Sequence, residues 1–346
     1  MSRFCFGFAV ALSVLAFTGW AQQAPVSGPY RVLKTAKVGG EGGYDYVSAD
    51  ADARRLYIAR TGSAPRIMVY NLDTLEPVGE IPTTNAHGAA IDPKSNHGFA
   101  TSKPITMFDT KTLKAIKTID VQGSPDGHLL DPISQRAYIL SHVAPHVTAI
   151  DTKDGSVAGT VDIGGMPEQA ATDGKGHLYI DVEDKDNIAV VDTKTLMVTA
   201  HYDLAGKGGT CAGLALDAKN HILFAACRNP AAMVILHAGD GKIITTLPIG
   251  TGTDGAVFNP KTMEAFSSQA DGTLTIVKES SPTSFAVEQT VQTMVGARTS
   301  TLDSKTNRII LIAAEFGPPT APAQPGGRAG RGPLVPGSFS ILVVGK

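Results

Sequence analysis

An all-β fold, a seven-bladed β-propeller with four antiparallel strands per blade, is predicted by three features of this 346-residue sequence. An apolar run that ends in an acid or an amide, followed by a tight turn and a second apolar run, occurs seven times. The copies recur every 39 to 44 residues, a length that accommodates four short strands. No segment shows a sustained helical period, and 37 Gly and 21 Pro are spread along the chain. These features favour blades packed around an axis, because one four-stranded blade cannot bury both of its faces alone.

Each repeat is anchored by one acid or amide at the end of its first strand. In the first copy, Ala49-Asp50 leads through a turn to Leu56-Tyr57-Ile58. The seven anchors are Asp50, Asp92, Asp131, Asp173, Asp217, Asn259 and Asp303.

A third and a fourth strand follow the first two in each repeat. In the second copy, Ile105–Asp109 is predicted as the third strand and residues 114–119 as the fourth. The last repeat has sequence for only three strands after Arg298, whereas residues 30–35 form a spare strand before the first repeat. We predict that this N-terminal strand completes the last blade, which joins the two ends of the chain and removes an exposed sheet edge.

The repeats resemble those of the YncE-like, or YVTN-repeat, seven-bladed propellers that bacteria export. Leu178-Tyr179-Ile180 followed by residues 187–193, and residues 147–165, carry the resemblance, which extends over nearly all of residues 29–346. The literal Tyr-Val-Thr-Asn tetrapeptide is absent, and His237 and Lys278 stand where the repeat has Asp. The resemblance implies a propeller fold, export and a binding function, and one relative is associated with single-stranded DNA.

Residues 1–21 have the pattern of a secretory signal peptide. Arg3 supplies the positive start, an apolar stretch extends from Phe4 to Phe17, and the small residues Gly19 and Ala21 occupy the −3 and −1 positions. This stretch is shorter than the roughly 20 residues that a membrane span needs. The mature chain is therefore expected to be a periplasmic or secreted monomer without a membrane span, formed by a single propeller domain over residues 29–346.

Residues five positions before the anchors are expected to face the channel along the propeller axis. Five of these seven are charged, although only 18% of the whole chain is charged. Carboxylates from several blades are suited to a divalent cation such as Ca²⁺, and an imidazole and a guanidinium to a ligand carboxylate or carbonyl. The alternative is a solvated mouth without a ligand. One of the seven residues is Ala212, which is not charged. The predicted ligand-binding residues are the other six: Asp45, His87, Asp126, Glu168, Asp254 and Arg298.

The loops between second and third strands are expected to open on the same face as the channel mouth. The longest is the Pro/Gly-rich loop of residues 317–336 in the last blade, which includes Arg328 and Arg331. This loop is either a flexible insertion or a basic flap over the mouth. Polar residues in these loops are Arg60, Glu183, Asp184, Arg228, Asn229, Asp271 and Glu315.

Cys211 and Cys227 flank a hairpin whose turn is centred on Lys219, so they should lie opposite each other on neighbouring strands. In an exported protein this arrangement favours a disulfide, and two buried free thiols are the alternative.

His142 and His146 share one loop, either as a metal-binding pair or as exposed loop residues. The sequence contains no G-x-S-x-G, P-loop or C-x-x-C-H motif, and so gives no support for nucleophilic catalysis, nucleotide hydrolysis or covalent haem.

We interpret the chain as a YncE-type binding protein with a small polar ligand or a protein partner at the channel mouth. A first alternative is a metal-dependent lactonase-like hydrolase, in which a carboxylate-bound ion activates water. A second alternative is single-stranded DNA binding, with Tyr44 and Tyr46 as stacking surfaces beside the mouth. A formal net charge of −2 and the acidic ring oppose this last function.

Overall fold

The computed structural model describes residues 27–318 and 332–346. These residues form 28 strands in seven antiparallel sheets of four strands each, so the predicted all-β propeller is confirmed. The part of the chain that is described includes no helix long and apolar enough to cross a membrane. The predicted signal peptide, residues 1–21, lies outside the described residues.

The first four blades follow the chain in simple up-and-down order. Blade 1 contains β2 (Gly43–Asp50), β3 (Arg55–Thr61), β4 (Arg66–Asn71) and β5 (Pro77–Pro82). Blade 2 contains β6 (Ala89–Asp92), β7 (His97–Ala100), β8 (Ile105–Asp109) and β9 (Ala115–Ile119). Blade 3 contains β10 (Pro125–Asp131), β11 (Arg136–Ser141), β12 (Val147–Asp151) and β13 (Val157–Val161). Blade 4 contains β14 (Pro167–Thr172), β15 (His177–Val182), β16 (Asn187–Asp192) and β17 (Met197–Asp203).

The remaining blades continue this order until the last, which includes the N-terminal strand. Blade 5 contains β18 (Cys211–Asp217), β19 (Ile222–Arg228), β20 (Ala231–His237) and β21 (Ile243–Pro248). Blade 6 contains β22 (Thr253–Asn259), β23 (Glu264–Gln269), β24 (Thr273–Ser281) and β25 (Ser284–Gln292). Blade 7 contains β26 (Thr299–Asp303), β27 (Arg308–Ala313), β28 (Ser340–Gly345) and β1 (Arg31–Lys37).

The repeated anchor residues are buried at the turns between first and second strands. The Oδ1 atom of Asp50 accepts hydrogen bonds from the backbone N–H groups of Asp52 (3.0 Å) and Ala53 (2.9 Å), and the other anchors accept turn amides in the same way. An apolar residue there would leave these amides unpaired. The acid therefore recurs because it closes the turn, and Arg54, four positions later, takes the left-handed conformation (φ 55°) that ends it.

The N-terminal strand closes the ring, as predicted. β1 pairs with β28 in antiparallel register, from Arg31 opposite Gly345 to Lys37 opposite Ser340. The strand begins one residue later and ends two residues later than the predicted residues 30–35. The sheet order β1-β28-β27-β26 makes both ends of the chain part of one blade.

The core consists of seven apolar clusters, one between each pair of neighbouring blades. Between blades 7 and 1, for example, Val47 and Ile58 pack with Ile310, Ile312 and Ile341, all of them buried. Because the blades bury each other's faces all the way round, the first strands are held at fixed positions around the axis.

Cys211 and Cys227 lie directly opposite each other on β18 and β19 and form a disulfide, with 2.00 Å between the two Sγ atoms. The predicted bond is thus confirmed. The bond joins the two strands near the end of β19, where Arg228 lies at the channel mouth.

The two ends of the loop at residues 317–336 are tied together. The N–H of Gly317 donates to the carbonyl of Pro333 at 2.8 Å, and Phe316 pairs with Leu334 as an isolated bridge. Arg328 and Arg331, which carry the flap hypothesis, lie outside the described residues.

Lowering the pH should weaken the contact between blades 1 and 7, where the ring of blades closes. Two nitrogens of Arg54 on blade 1 each lie 2.8 Å from one oxygen of Asp303 on blade 7. Burial of Asp303 would raise its pKa, but the hydrogen bonds from Arg54 and Thr306 lower it to about 2. Because the folded pKa lies below the unfolded value of about 3.9, the stabilisation of about 2 kcal/mol is present above pH 4 and is lost between pH 4 and 2.

Urea unfolding from pH 7 to pH 3 measures this effect as the difference between wild type and Asp303→Asn, which should be largest at pH 7. Asp52→Asn is the matched control, because Asp52 pairs with Lys305 across the same two blades but is 79% exposed and should contribute little. A difference for Asp303→Asn that does not change with pH would rule out the ion pair as its cause.

Candidate functional site

All six predicted ligand-binding residues line one cavity of about 250 Å³ at the mouth of the channel. Asp45, Asp126, Glu168 and Asp254 lie near the starts of first strands, and His87 and Arg298 lie just before them. They converge because the first strand of each blade is the one nearest the propeller axis. A ligand in this cavity remains a prediction.

One half of the mouth combines imidazoles with carboxylates. Nδ1 of His87 lies 2.8 Å from Oδ2 of Asp45 and 3.0 Å from Oδ1 of Asp126. Nε2 of His142 lies 3.1 Å from Oδ2 of Asp126 and 3.9 Å from Oε2 of Glu168. The donor atoms form two groups of three that could hold a metal ion, and Asp126 belongs to both.

These carboxylates favour the charged form of both imidazoles. The hydrogen bond to Asp45 raises the pKa of His87. Asp126, and then Glu168, raises the pKa of His142 to about 10. At neutral pH the imidazole of His142 therefore carries a proton and neutralises part of the acidic ring, and Asp45 favours the protonated form of His87 in the same way.

The other half of the mouth is organised by guanidinium groups. Arg228, the last residue of β19, contacts Glu183 (2.8 Å), Glu168 (3.4 Å) and Asp254. Nε of Arg298 lies 3.0 Å from the other oxygen of Asp254. Burial raises the pKa of Asp254 to about 6 in spite of the two neighbouring cations. Arg228 thus joins carboxylates from blades 4 and 6, which would otherwise repel one another.

Tyr46 forms the floor of the mouth. Its hydroxyl reaches across the channel from blade 1 to blade 4, where it lies 3.2 Å from both the carbonyl and the carboxylate of Glu168. Burial, followed by the charge of Glu168, raises the pKa of Tyr46 well above its usual value, so the hydroxyl remains a donor. Beside it, burial lowers the pKa of His128 to about 4, so this imidazole is neutral.

Gln169 ties the channel wall together next to this floor. Its Oε1 accepts the N–H groups of Leu214 (2.9 Å) and Ala256 (3.0 Å), and its Nε2 donates to the carbonyl of Ala256 (3.1 Å). One amide therefore links blade 4 to blades 5 and 6.

The structure corrects the interpretation of two candidates. His142 and His146 are neither a metal-binding pair nor two exposed loop residues, because His142 faces Asp126 whereas His146 is buried against Asp162 (2.6 Å). Arg60 does not open on the mouth: it is fully buried, and it donates to the carbonyls of residues 39–43 and lies over the ring of Phe339.

The two tyrosines expected beside the mouth are not exposed stacking surfaces. Tyr44 is only 7% exposed and packs between blades 7 and 1, where its hydroxyl lies 3.2 Å from the carbonyl of Gly296. Tyr46 is the floor described above. Neither ring is presented to a nucleobase in the way that single-stranded DNA binding requires.

The six ligand-binding residues predicted from the sequence do not include His142, Glu183 or Arg228, although Glu183 and Arg228 are expected in loops on the same face. Each follows or ends a second strand, ten or eleven positions after the anchor of its repeat. Positions ten or eleven residues after each anchor, taken together with the positions five residues before it, include all three.

No family model and no curated protein matches the chain. Solved structures do: U3-55K has a TM-score of 0.71 at 10% identity, over 92% of this chain and 99% of that chain. The RRP9 WD40 repeats have a TM-score of 0.71 at 11% identity, over 93% and 99%. Kuenenia stuttgartiensis hydrazine synthase has a TM-score of 0.65 at 15% identity, over 78% and 92%. These likenesses establish the propeller fold and leave membership of the YncE family a prediction.

Proposed function

We propose that the protein is an exported YncE-type binding protein that holds a small ligand with a carboxylate or phosphate group at its channel mouth. The observation that carries this proposal is the guanidinium of Arg298. This side chain lines the cavity and is 21% exposed, and its Nε lies 3.0 Å from Oδ2 of Asp254. Its two terminal nitrogens donate no hydrogen bond to any other described residue. A guanidinium fork of this kind pairs with carboxylate or phosphate through two parallel hydrogen bonds.

The cavity favours a small and polar ligand. Its volume of about 250 Å³ lies below the range of about 300–1,000 Å³ that is typical of pockets for drug-sized molecules. Its lining is dominated by charged and hydroxyl-bearing side chains, so a ligand rich in oxygen atoms would find partners on several sides. We infer that the anionic group pairs with Arg298 and that the rest of the ligand extends toward His87 and His142.

Export is the second part of the proposal. The signal-peptide pattern in residues 1–21 supports it, as does the disulfide between Cys211 and Cys227, because such bonds persist mainly in oxidising compartments.

Calorimetric titration with acetate, malonate and inorganic phosphate tests the binding function. At least one of these anions should bind the wild type, and Arg298→Gln should weaken that binding at least tenfold, since it removes a charge-assisted pair worth roughly 1.5–3 kcal/mol. Arg308→Gln is the matched control, because Arg308 is exposed on β27 and should leave the affinity unchanged. Absence of binding by all three anions, or equal binding by Arg298→Gln, would reject the proposed ligand class.

A metal-dependent lactonase-like hydrolase is the alternative that one specific observation favours. The two groups of imidazole and carboxylate donors at the mouth are of the kind that hold an ion able to activate water. Under this alternative, opening of glucono-δ-lactone in a pH-stat should depend on added Mn²⁺ and be abolished by EDTA. A binding protein without catalysis would bind the anions and leave the rate of lactone opening at its uncatalysed value.

A further inference from the structure

Five side chains at the mouth are arranged as two metal-ligand sets that share one member. In the first set, the donor atoms of Asp45, His87 and Asp126 all lie within 4.8 Å of one another. In the second set, the same holds for Asp126, His142 and Glu168. An ion with ligands at about 2.1 Å needs donor atoms about 3–4 Å apart, so small rotations of these side chains bring each set around one ion.

Asp126 is positioned between the two sets. Its Oδ1 lies 3.0 Å from Nδ1 of His87, and its Oδ2 lies 3.1 Å from Nε2 of His142. Each oxygen therefore faces one imidazole nitrogen, as in a carboxylate that bridges two ions. In addition, Nε2 of His142 is a buried atom that makes no well-formed hydrogen bond within the described part of the chain. An ion between this nitrogen and Oδ2 of Asp126 would bind both atoms.

We propose that the channel mouth is a dinuclear metal centre in which Asp126 bridges two divalent transition-metal ions. Asp45 and His87 complete the first site, and His142 and Glu168 complete the second. This inference deepens the proposed binding function. The presence of the two ions does not depend on that function; only their role in holding an anion rests on it.

The donors indicate which ions would bind. Each site offers one imidazole and two carboxylates, a set that suits Mn²⁺, Fe²⁺, Co²⁺ or Zn²⁺. The Ca²⁺ expected from the sequence prefers six to eight oxygen ligands, and here each set includes a nitrogen. Three protein ligands leave at least one open position on each ion, where water or an oxygen of the ligand would bind.

The charges of the mouth are consistent with two ions and an anion. With both imidazoles neutral, as metal ligands are, the five carboxylates exceed the two guanidinium groups by three negative charges. Two divalent ions convert this excess to one positive charge, which a monovalent anion at Arg298 would neutralise. One ion alone would leave an excess of one negative charge at the mouth.

Metal loading of the purified full-length protein tests the dinuclear centre. After removal of metals with EDTA and dialysis against Mn²⁺, the wild type should retain two ions per chain by mass spectrometry. Its electron paramagnetic resonance spectrum should show spin coupling, because ions that share a carboxylate lie about 3.5–4 Å apart. Asp126→Asn should lose the coupling and weaken retention of both ions at least tenfold.

Variants of the two half-sites separate the proposal from a general loss of folding. Asp45→Asn and His142→Gln should each retain one ion without coupling, and unfolding curves show whether each variant is folded. Asp162→Asn is the matched control, because it alters a histidine–carboxylate pair with His146 outside the mouth and should retain two coupled ions. Retention of fewer than two ions by the wild type, two ions without coupling, or coupling that survives in Asp126→Asn would overturn the proposal.

The outcomes distinguish this inference from the proposed function, because the metal is measured without any anion. Two coupled ions in a protein that binds none of acetate, malonate and phosphate would leave the metal centre standing and reject the ligand class. Anion binding that depends on Arg298 in a protein without retained Mn²⁺ would support the ligand class and reject the metal centre.

Discussion

Replacing Tyr30 by alanine is expected to destabilise the propeller by about 3–5 kcal/mol, the usual cost of truncating a buried aromatic side chain. Tyr30 is only 4% exposed, and its ring packs edge-on against Phe266 with 5.6 Å between ring centroids. Its hydroxyl donates to Glu264, a fully buried carboxylate, and Gln289 pairs with its backbone N–H and carbonyl. β1 begins at the next residue, and its own side chains are largely exposed. Tyr30 therefore contributes much of the packing that holds this strand, and with it the closed ring, in place.

Urea unfolding of three variants tests this account of closure. Tyr30→Phe keeps the ring and removes only the hydroxyl bonded to Glu264, so it should cost about 1–3 kcal/mol. Thr35→Ala on β1 is the control and should have almost no effect, because its side chain is exposed. If Tyr30→Ala costs less than about 1 kcal/mol, the N-terminal strand does not secure the ring.

The architecture was predictable because its determinants are local. The anchor acid closes each turn through its own side chain, so it must recur at the same place in every repeat. The disulfide was predictable for a related reason: once the turn around Lys219 is located, antiparallel register places Cys211 opposite Cys227. Closure by β1 followed from the missing fourth strand of the last repeat.

The candidate site was only half predictable, because its second half depends on how side chains are directed at strand ends. Arg60 and Arg228 occupy similar positions in their repeats, yet Arg60 turns inward to the carbonyls of residues 39–43 and Arg228 faces the channel. The run of glycines between residues 39 and 43 supplies free carbonyls in blade 1, whereas in blade 5 the carboxylates of neighbouring blades attract the guanidinium. The direction of each side chain therefore depends on contacts between blades, and these cannot be deduced from the sequence of a single repeat.

Replacing Arg228 by methionine is expected to destabilise the protein by about 3–5 kcal/mol in the presence of EDTA. The side chain is 13% exposed, and those of its partners Glu168, Glu183 and Asp254 are exposed by only 12–16%. Methionine nearly preserves the volume of the side chain and removes its charge, so three poorly hydrated carboxylates lose their shared cation. Arg298 remains beside Asp254 but does not contact the two glutamates.

A double-mutant cycle in urea unfolding tests this assignment. Arg228→Met combined with Asp254→Asn should be more stable than Arg228→Met alone, because the second change removes one of the uncompensated charges. Arg308→Met, which removes an exposed guanidinium from β27, should change the stability by less than about 0.5 kcal/mol. Equal stability of Arg228→Met and wild type, or no recovery on adding Asp254→Asn, would mean that hydration rather than Arg228 balances the acids of the mouth.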